Sequence, residues 1–226
     1  MPFQPASLAR APTSAPELAF AVREAAPERF AAAPALSFEL GVERKGGGPI
    51  QSIVLAIQLR IAATRRSYSA EEQTRLGDLF GRPEDWGRNL HSLLWTNVSV
   101  VVPPFVDAAT VAVPVPCTYD LEVKGSAYLQ ALEAGEVPLE FLFSGTMFYP
   151  TDAGLQTALV SWNNEAEYRL PVATWRETMD LHFPGAAWLR VSRETMDRLR
   201  AHKSALALTS WEATLDSLLD REDAPR

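Results

Sequence analysis

Ile53, Leu55, Ile57, Leu59 and Ile61 fall on one side of an extended stretch, residues 51–64. Ser52, Gln58 and Arg60 fall on the other, with Val54 and Ala56 between them. A two-residue hydrophobic period marks a strand with one buried face. The same period recurs at Leu18, Phe20 and Val22, and at Leu36, Phe38, Leu40 and Val42. It returns from Leu93 to Val102, at Val111, Val113 and Val115, and at Leu139, Phe141, Phe143, Met147 and Tyr149. Three glycines and Pro49 separate the second strand from residues 51–64, and so short a connection predicts an antiparallel pair. Pro114 and Pro116 mark an edge strand or a break. Gly145 marks a bulge or a close approach.

Residues 155–170 read as a hairpin turning at Asn163 and Asn164, which tolerate positive φ. A two-residue loop sets Trp162 opposite Glu165 and Val160 opposite Glu167. Leu155, Leu159, Tyr168 and Leu170 then face the core. Trp162 shares the polar face and needs a cover, either the C-terminal helices or a partner.

Helical signals are fewer. Ser69 and Glu72 form a capping box ahead of Leu76, Leu79 and Phe80, with a stop at Gly81. Pro83 opens a second short helix carrying Trp86. Residues 127–134 read as a helix. After Pro171 the period turns helical, with Trp175, Met179 and Phe183 on one stripe. Ser192 caps a helix with Met196 and Leu199 inward. Thr209 and Glu212 suggest another capping box, before Trp211, Leu215 and Leu218.

The expected fold is α+β: a mostly antiparallel β-sandwich, immunoglobulin-like or C2-like, with C-terminal helices packed on it. Residues 1–16 read as a flexible Pro/Ala-rich arm, 17–171 as the sandwich with short helical insertions, 172–220 as helices of the same domain, and 221–226 as a charged tail.

A net charge of −7 argues against a nucleic-acid partner, which needs a basic surface. The cluster Arg60, Arg65 and Arg66 reads as a solvated strand end. No stretch has the roughly 18 apolar residues of a membrane span, and residues 1–16 lack a signal-peptide core. Cys117 is the only cysteine, so no internal disulfide forms; a cytoplasmic location is expected. Oligomeric state stays open.

Catalytic grammar is missing. His91, His182 and His202 have no ligand-type neighbour at helical spacing. Ser144 lacks a nucleophile elbow, and the glycines at 46–48 precede no helix, so no phosphate loop is formed. Cys117 reads as buried and inert. The pairs Asp120/Glu122 and Glu165/Glu167 read as solvated strand faces. No cofactor or metal is expected. Six tryptophans favour contact surfaces and cores. Trp175 and Trp211 fit the core. Trp95, Trp162 and Trp188, with Phe105, are the candidate protein-binding residues.

Several segments together carry a family resemblance: RFAAAP at 29–34, LFGRP at 79–83, LWTN at 94–97 with VPPF at 102–105, VPCTYD at 115–120, LFSGTMF at 142–148 and YRLPVATWRETMDLHFP at 168–184. The chain resembles an uncharacterised family of unknown function from high-GC bacteria, associated with gene clusters for uptake nickel–iron hydrogenases. The resemblance implies a non-catalytic accessory or assembly protein that binds a hydrogenase subunit or a maturation intermediate. Two other readings stand beside it. One is a hydrolase-like enzyme with a site assembled from distant loops, pairing Asp120 with His91 or His182. The other is a chaperone like the SecB export type.

Overall fold

The computed structural model describes residues 15–118, 120, 123–182, 184–185 and 189–220. Residues 1–14 of the expected arm at 1–16 and the tail at 221–226 lie outside them, as does Phe183. Two compact units emerge, Met1–Ala187 and Trp188–Arg226.

The first unit is an antiparallel β-sandwich. Its strands are β1 (Glu17–Pro27), β2 (Ala35–Gly46), β3 (Ser52–Ile61), β4 (Leu93–Val102), β5 (Ala108–Pro116), β6 (Glu136–Thr151), β7 (Gly154–Leu159) and β8 (Glu165–Pro171). One sheet has the order β1-β2-β5. The other has the order β4-β3-β6, with β7 and β8 both pairing β6. All six strand pairs are antiparallel.

The alternating rows form the core. Leu36, Phe38, Leu40 and Val42 of one sheet are buried, as are the five inner residues of β3. Each such side chain contributes about 1.5–3 kcal/mol on leaving water. Rings join the sheets: Phe20 stacks on Phe143 with centroids 4.3 Å apart, and Phe38 meets Phe141 edge-on at 5.2 Å.

Two expected pairings are corrected. β2 and β3 do not pair; they lie in opposite sheets. Both strands carry a strong apolar face, and those faces are buried in one core rather than aligned side by side in one sheet. The connection at 47–51 is long enough to bridge the roughly 10 Å between layers. Gly47 turns it with φ +78°, and a Cβ there would lie 2.7 Å from the Pro16 Cα. Arg44 secures the crossing through the carbonyl of Gly47 at 2.7 Å and the carboxylate of Asp107 at 3.0 Å.

Residues 155–170 are not a hairpin either. β6 is sixteen residues long, and β7 and β8 line the same edge of it in succession. β7 pairs with 146–151 and β8 with 136–142. The hairpin is β6–β7, turning at 151–154.

Short helices fill the remaining connections: α1 (Ala70–Arg75), α2 (Gly77–Phe80), α3 (Trp86–Asn89), α4 (Lys124–Ala131) and α5 (Val172–Asp180). The capping box forms: the Ser69 hydroxyl accepts from the Glu72 amide and the Glu72 carboxylate from the Ser69 amide. α4 begins three residues before the expected 127. α4 lies against β4, and α5 against β1, β2 and β8. Trp175 and Met179 are buried on α5.

The second unit is a helical pair, α6 (Arg193–Ala205) and α7 (Trp211–Leu219). Ser192 caps the first. Ser210, not Thr209, caps the second, accepting from the Ala213 amide at 3.0 Å. His202 bonds the Ser217 hydroxyl at 2.9 Å and ties the pair together. Met196 and Leu199 are half-buried. Trp211, expected in the core, remains exposed with Leu215 and Leu218, because two helices make too thin a layer to enclose it.

Gly145 tests this account of the sheet. Its φ is +148°, and a Cβ there would lie 2.1 Å from the Val54 carbonyl oxygen. Strained φ and overpacking each cost about 1–3 kcal/mol, so Gly145→Ala is expected to lower stability by about 2–6 kcal/mol in urea unfolding.

Candidate docking surface

The junction between β7 and β8 is the most irregular part of the sandwich. Residues 143–145 of β6 face residues 160–164, so the segment joining β7 to β8 has two residues too many and loops out. Both ends stay anchored. The Val160 amide donates to the Gly145 carbonyl at 3.0 Å, and the Phe143 amide donates to the Asn164 carbonyl at 3.1 Å. Between them, the Asn164 amide and its side-chain Nδ2 both donate to the Ser161 carbonyl at 3.1 Å, and the Ser161 hydroxyl bonds the Asn163 side chain. Trp162 sits at the corner of this turn, 89% exposed. Nothing among the described residues covers it.

Trp162 stands beside an unusual sheet face. Register aligns Val101, Val54, Thr146 and Leu159 in one row across four strands. Val101 is 63% exposed, Val54 50% and Leu159 78%; Leu155, four residues back along β7 on the same face, is 60% exposed. The neighbouring outward positions are Ser52, Ala56, Ser99, Ser144, Phe148 and Thr157. No charge interrupts this area. Charges begin at the far end, where Arg65 bonds Glu167 at 2.5 Å and Glu140 at 3.4 Å. A cleft of about 550 Å³ adjoins the turn, lined by Glu17, Leu18, Met147, Leu159 and Asn163 among others. One carboxylate among amides and apolar groups can hold a peptide but offers no acid–base pair.

The other candidates are placed differently. Trp95 is 9% exposed and Phe105 8%, so neither presents a contact surface; this corrects the expectation. Trp95 shares the inner side of β4 with Leu93, and α4 covers it: a Cβ on Gly125 would lie 3.0 Å from its ring. Phe105 pairs with Ile50 by two backbone bonds, of 2.9 and 3.1 Å. Trp188 lies outside the described residues. Leu155 and Leu159, expected in the core, belong to the exposed row. A one-sided alternation with Thr157 was the signal, and the assumed hairpin assigned it to the wrong face.

Buried polar chemistry lies elsewhere. Arg66, expected in water, is buried with Glu72, their side chains 10% and 4% exposed and 2.6 Å apart. Arg66 also donates to the Ala134 carbonyl at 2.8 Å, and Glu72 accepts from the Glu133 amide at 2.9 Å. Beside them Tyr68 donates to the Ala63 carbonyl at 2.6 Å. Its single proton is thereby used, so Tyr128 donates to Tyr68 at 2.8 Å. Burial raises the pKa of both phenols. Every partner in this cluster is internal, so it acts as a clamp holding α1 to the connection after α4.

Cys117 is buried, and desolvation pushes its thiol up to about 12, which makes it a poor nucleophile. His91 bonds the Asn89 carbonyl at 2.6 Å in a recess lined by Leu79, Phe80, Gly81, Arg88 and Asn89. His182 bonds the Ala31 carbonyl at 3.1 Å. Glu122 lies outside the described residues. Among the described residues, no three His, Cys, Asp or Glu side chains gather into a metal-holding group. No helix among them is long and apolar enough to cross a membrane.

The chain belongs to DUF6084. This is a family of unknown function, and its model matches residues 15–226. No curated protein matches the chain. Among solved structures, the CARDB domain of a Pyrococcus furiosus protein, in complex with di-metal ions, is 11% identical. The match covers 69% of this chain and 92% of that one, with a TM-score of 0.28. A β-glucosidase from Kluyveromyces marxianus is 12% identical over 68% of this chain and 15% of its own, with a TM-score of 0.23. Likenesses this distant carry no argument about what DUF6084 binds.

The buried groups set two expectations. Glu72→Ala leaves Arg66 unpaired in the interior, which costs about 3–5 kcal/mol. Replacing both residues with methionine is expected to cost far less, and thermal unfolding of the three proteins reads the difference. The raised thiol and phenols hold their protonated forms in the folded state. Their contribution is full below about pH 8.5, where the unfolded thiol titrates, and declines as pH rises towards the folded value of about 12. The melting temperature should therefore fall steadily above about pH 9, with Cys117→Ala flattening the first part of that decline.

Proposed function

We propose that this DUF6084 chain is a non-catalytic accessory or assembly protein of the cytoplasm. It holds a protein partner against the outer face of its larger sheet. The proposed partner is a nickel–iron hydrogenase subunit or a maturation intermediate, a choice that rests on the family resemblance alone.

One observation carries the docking role: Trp162 is 89% exposed on a turn fixed by its own hydrogen bonds, at the end of an uncharged apolar row. Tryptophan dominates binding energy when a partner encloses it. A pre-set turn lowers the ordering cost of association. Exposed apolar side chains that gather on one face mark contact sites, whereas scattered ones do not.

Co-purification with the subunits of the hydrogenase cluster tests the reading. The chain is expected to co-elute with one of them. Trp162→Ala should weaken that complex at least about 30-fold, the effect of a hot-spot residue, with an unchanged melting temperature. No co-elution, or binding indifferent to Trp162, would refute the proposal.

A further inference from the structure

We infer that β7 pairs edge to edge with β7 of a second copy of this chain, joining two large sheets into one about a two-fold axis at Thr157.

An open strand edge invites pairing, and folded proteins block it with prolines, charges, bulges or covering elements. Most of the other edges here are blocked. β5 carries Pro114 and Pro116. β1 carries Glu17, Arg23 and Glu24 and two register breaks. β4 is uncharged as well, but α4 lies against its inner side and β5 runs near it. β8 carries Glu165, Glu167 and Arg169, and β1 runs beside it. β7 reads GLQTAL. It holds no charge and no proline, and its two leucines are 60% and 78% exposed.

The hydrogen-bond phase of β7 shows what can pair there. Pro150 lies opposite Leu155 and has no N–H to give, so that pair is not hydrogen-bonded. The Val160 amide bonds the Gly145 carbonyl at 3.0 Å. Alternation then turns Gly154, Gln156 and Ala158 towards β6, and the amides and carbonyls of Leu155, Thr157 and Leu159 outward. Those outward groups meet no main-chain partner among the described residues.

A second copy fits this edge. The outward groups are spaced symmetrically about Thr157, so an antiparallel copy presents the same pattern in return. Leu155 then faces Leu159 of the second copy, and Thr157 faces its own counterpart. Such a self-complementary contact is the ordinary form of a two-fold interface. The charge pattern agrees. Copies with a net charge of −7 repel each other, and β7 brings no like charges together. In this register the nearest acid, Asp152, falls opposite Trp162. The inference does not rest on the docking proposal, since the purified chain alone decides it. Pairing at the edge leaves the outer face open.

Sedimentation equilibrium of the full chain is expected to give a dimer of about 50 kDa, twice 24.9 kDa. Thr157→Pro removes an N–H that points away from β6 and should yield a folded monomer. Thr157→Lys sets like charges opposite each other and should weaken the dimer roughly tenfold. An equimolar mixture of Thr157→Lys with Thr157→Glu should restore it, and this alone decides the matter if the proline variant fails to fold. A monomeric wild type would overturn the inference. So would a dimer indifferent to Thr157→Lys, or a monomer whose Leu155, Thr157 and Leu159 amides resist hydrogen exchange because another segment occupies the edge.

Discussion

The close approach of Gly145 to the Val54 carbonyl organises the larger sheet. With any side chain at 145, β6 would have to bend away from β3 midway. Without one, the sixteen-residue β6 keeps a single register with β3 from 139 to 148, and Leu139, Phe141, Phe143, Met147 and Tyr149 all stay on the inner side. A strand of that length exceeds any single neighbour on its far edge. It therefore takes β7 and β8 one after the other, and the surplus residues between them loop out at 160–164. The exposure of Trp162 is thus a consequence of the backbone contact at Gly145 and of the excess length of the strand facing it.

The sandwich keeps its charge at the margins, with one exception. Arg66 and Glu72 are withdrawn from water where the capping box meets the connection after α4. A buried pair of this kind is weak evidence of stability, because desolvation offsets much of the attraction. Its effect is geometric. Glu72 serves a cap, an ion pair and the Glu133 amide at once, which leaves α1 one way to sit. One guanidinium nitrogen of Arg66 has no hydrogen-bond partner among the described residues, consistent with a clamp that is not optimised for strength.

The sequence made strands legible and their partners much less so. A two-residue period reports which side of a strand is buried, and the rows it marks on β2, β3 and β6 are the inner ones. It says nothing about which neighbour lies alongside. A short glycine-rich connection reads as a hairpin when it joins two strands of one sheet and looks the same when it crosses between sheets, as at 47–51. At 155–170 the local turn signal of Asn163 and Asn164 was real, but it serves a bulge in an edge rather than the end of a hairpin. That error reversed the face assigned to Leu155 and Leu159 and hid half of the exposed row. Trp162 is exposed because of the turn itself. Trp95 and Phe105 were misplaced because residue type outweighed position: their strand parity and β-bridge, not their aromatic character, decide their burial.

The uncharged face and the unprotected edge share the same strand, and this has a physical logic. An acidic surface keeps identical chains apart and suppresses unspecific contacts. A neutral strip is then the one approach on which repulsion is smallest and apolar contact greatest. Main-chain groups at the β7 edge supply direction and register. Val54, Val101 and Leu159 supply area without a demand for charge pairing. In the proposed docking, Trp162 would supply a fixed anchor between the two. Specificity would then come from where charge is withheld, a form of selection that needs no reactive side chain.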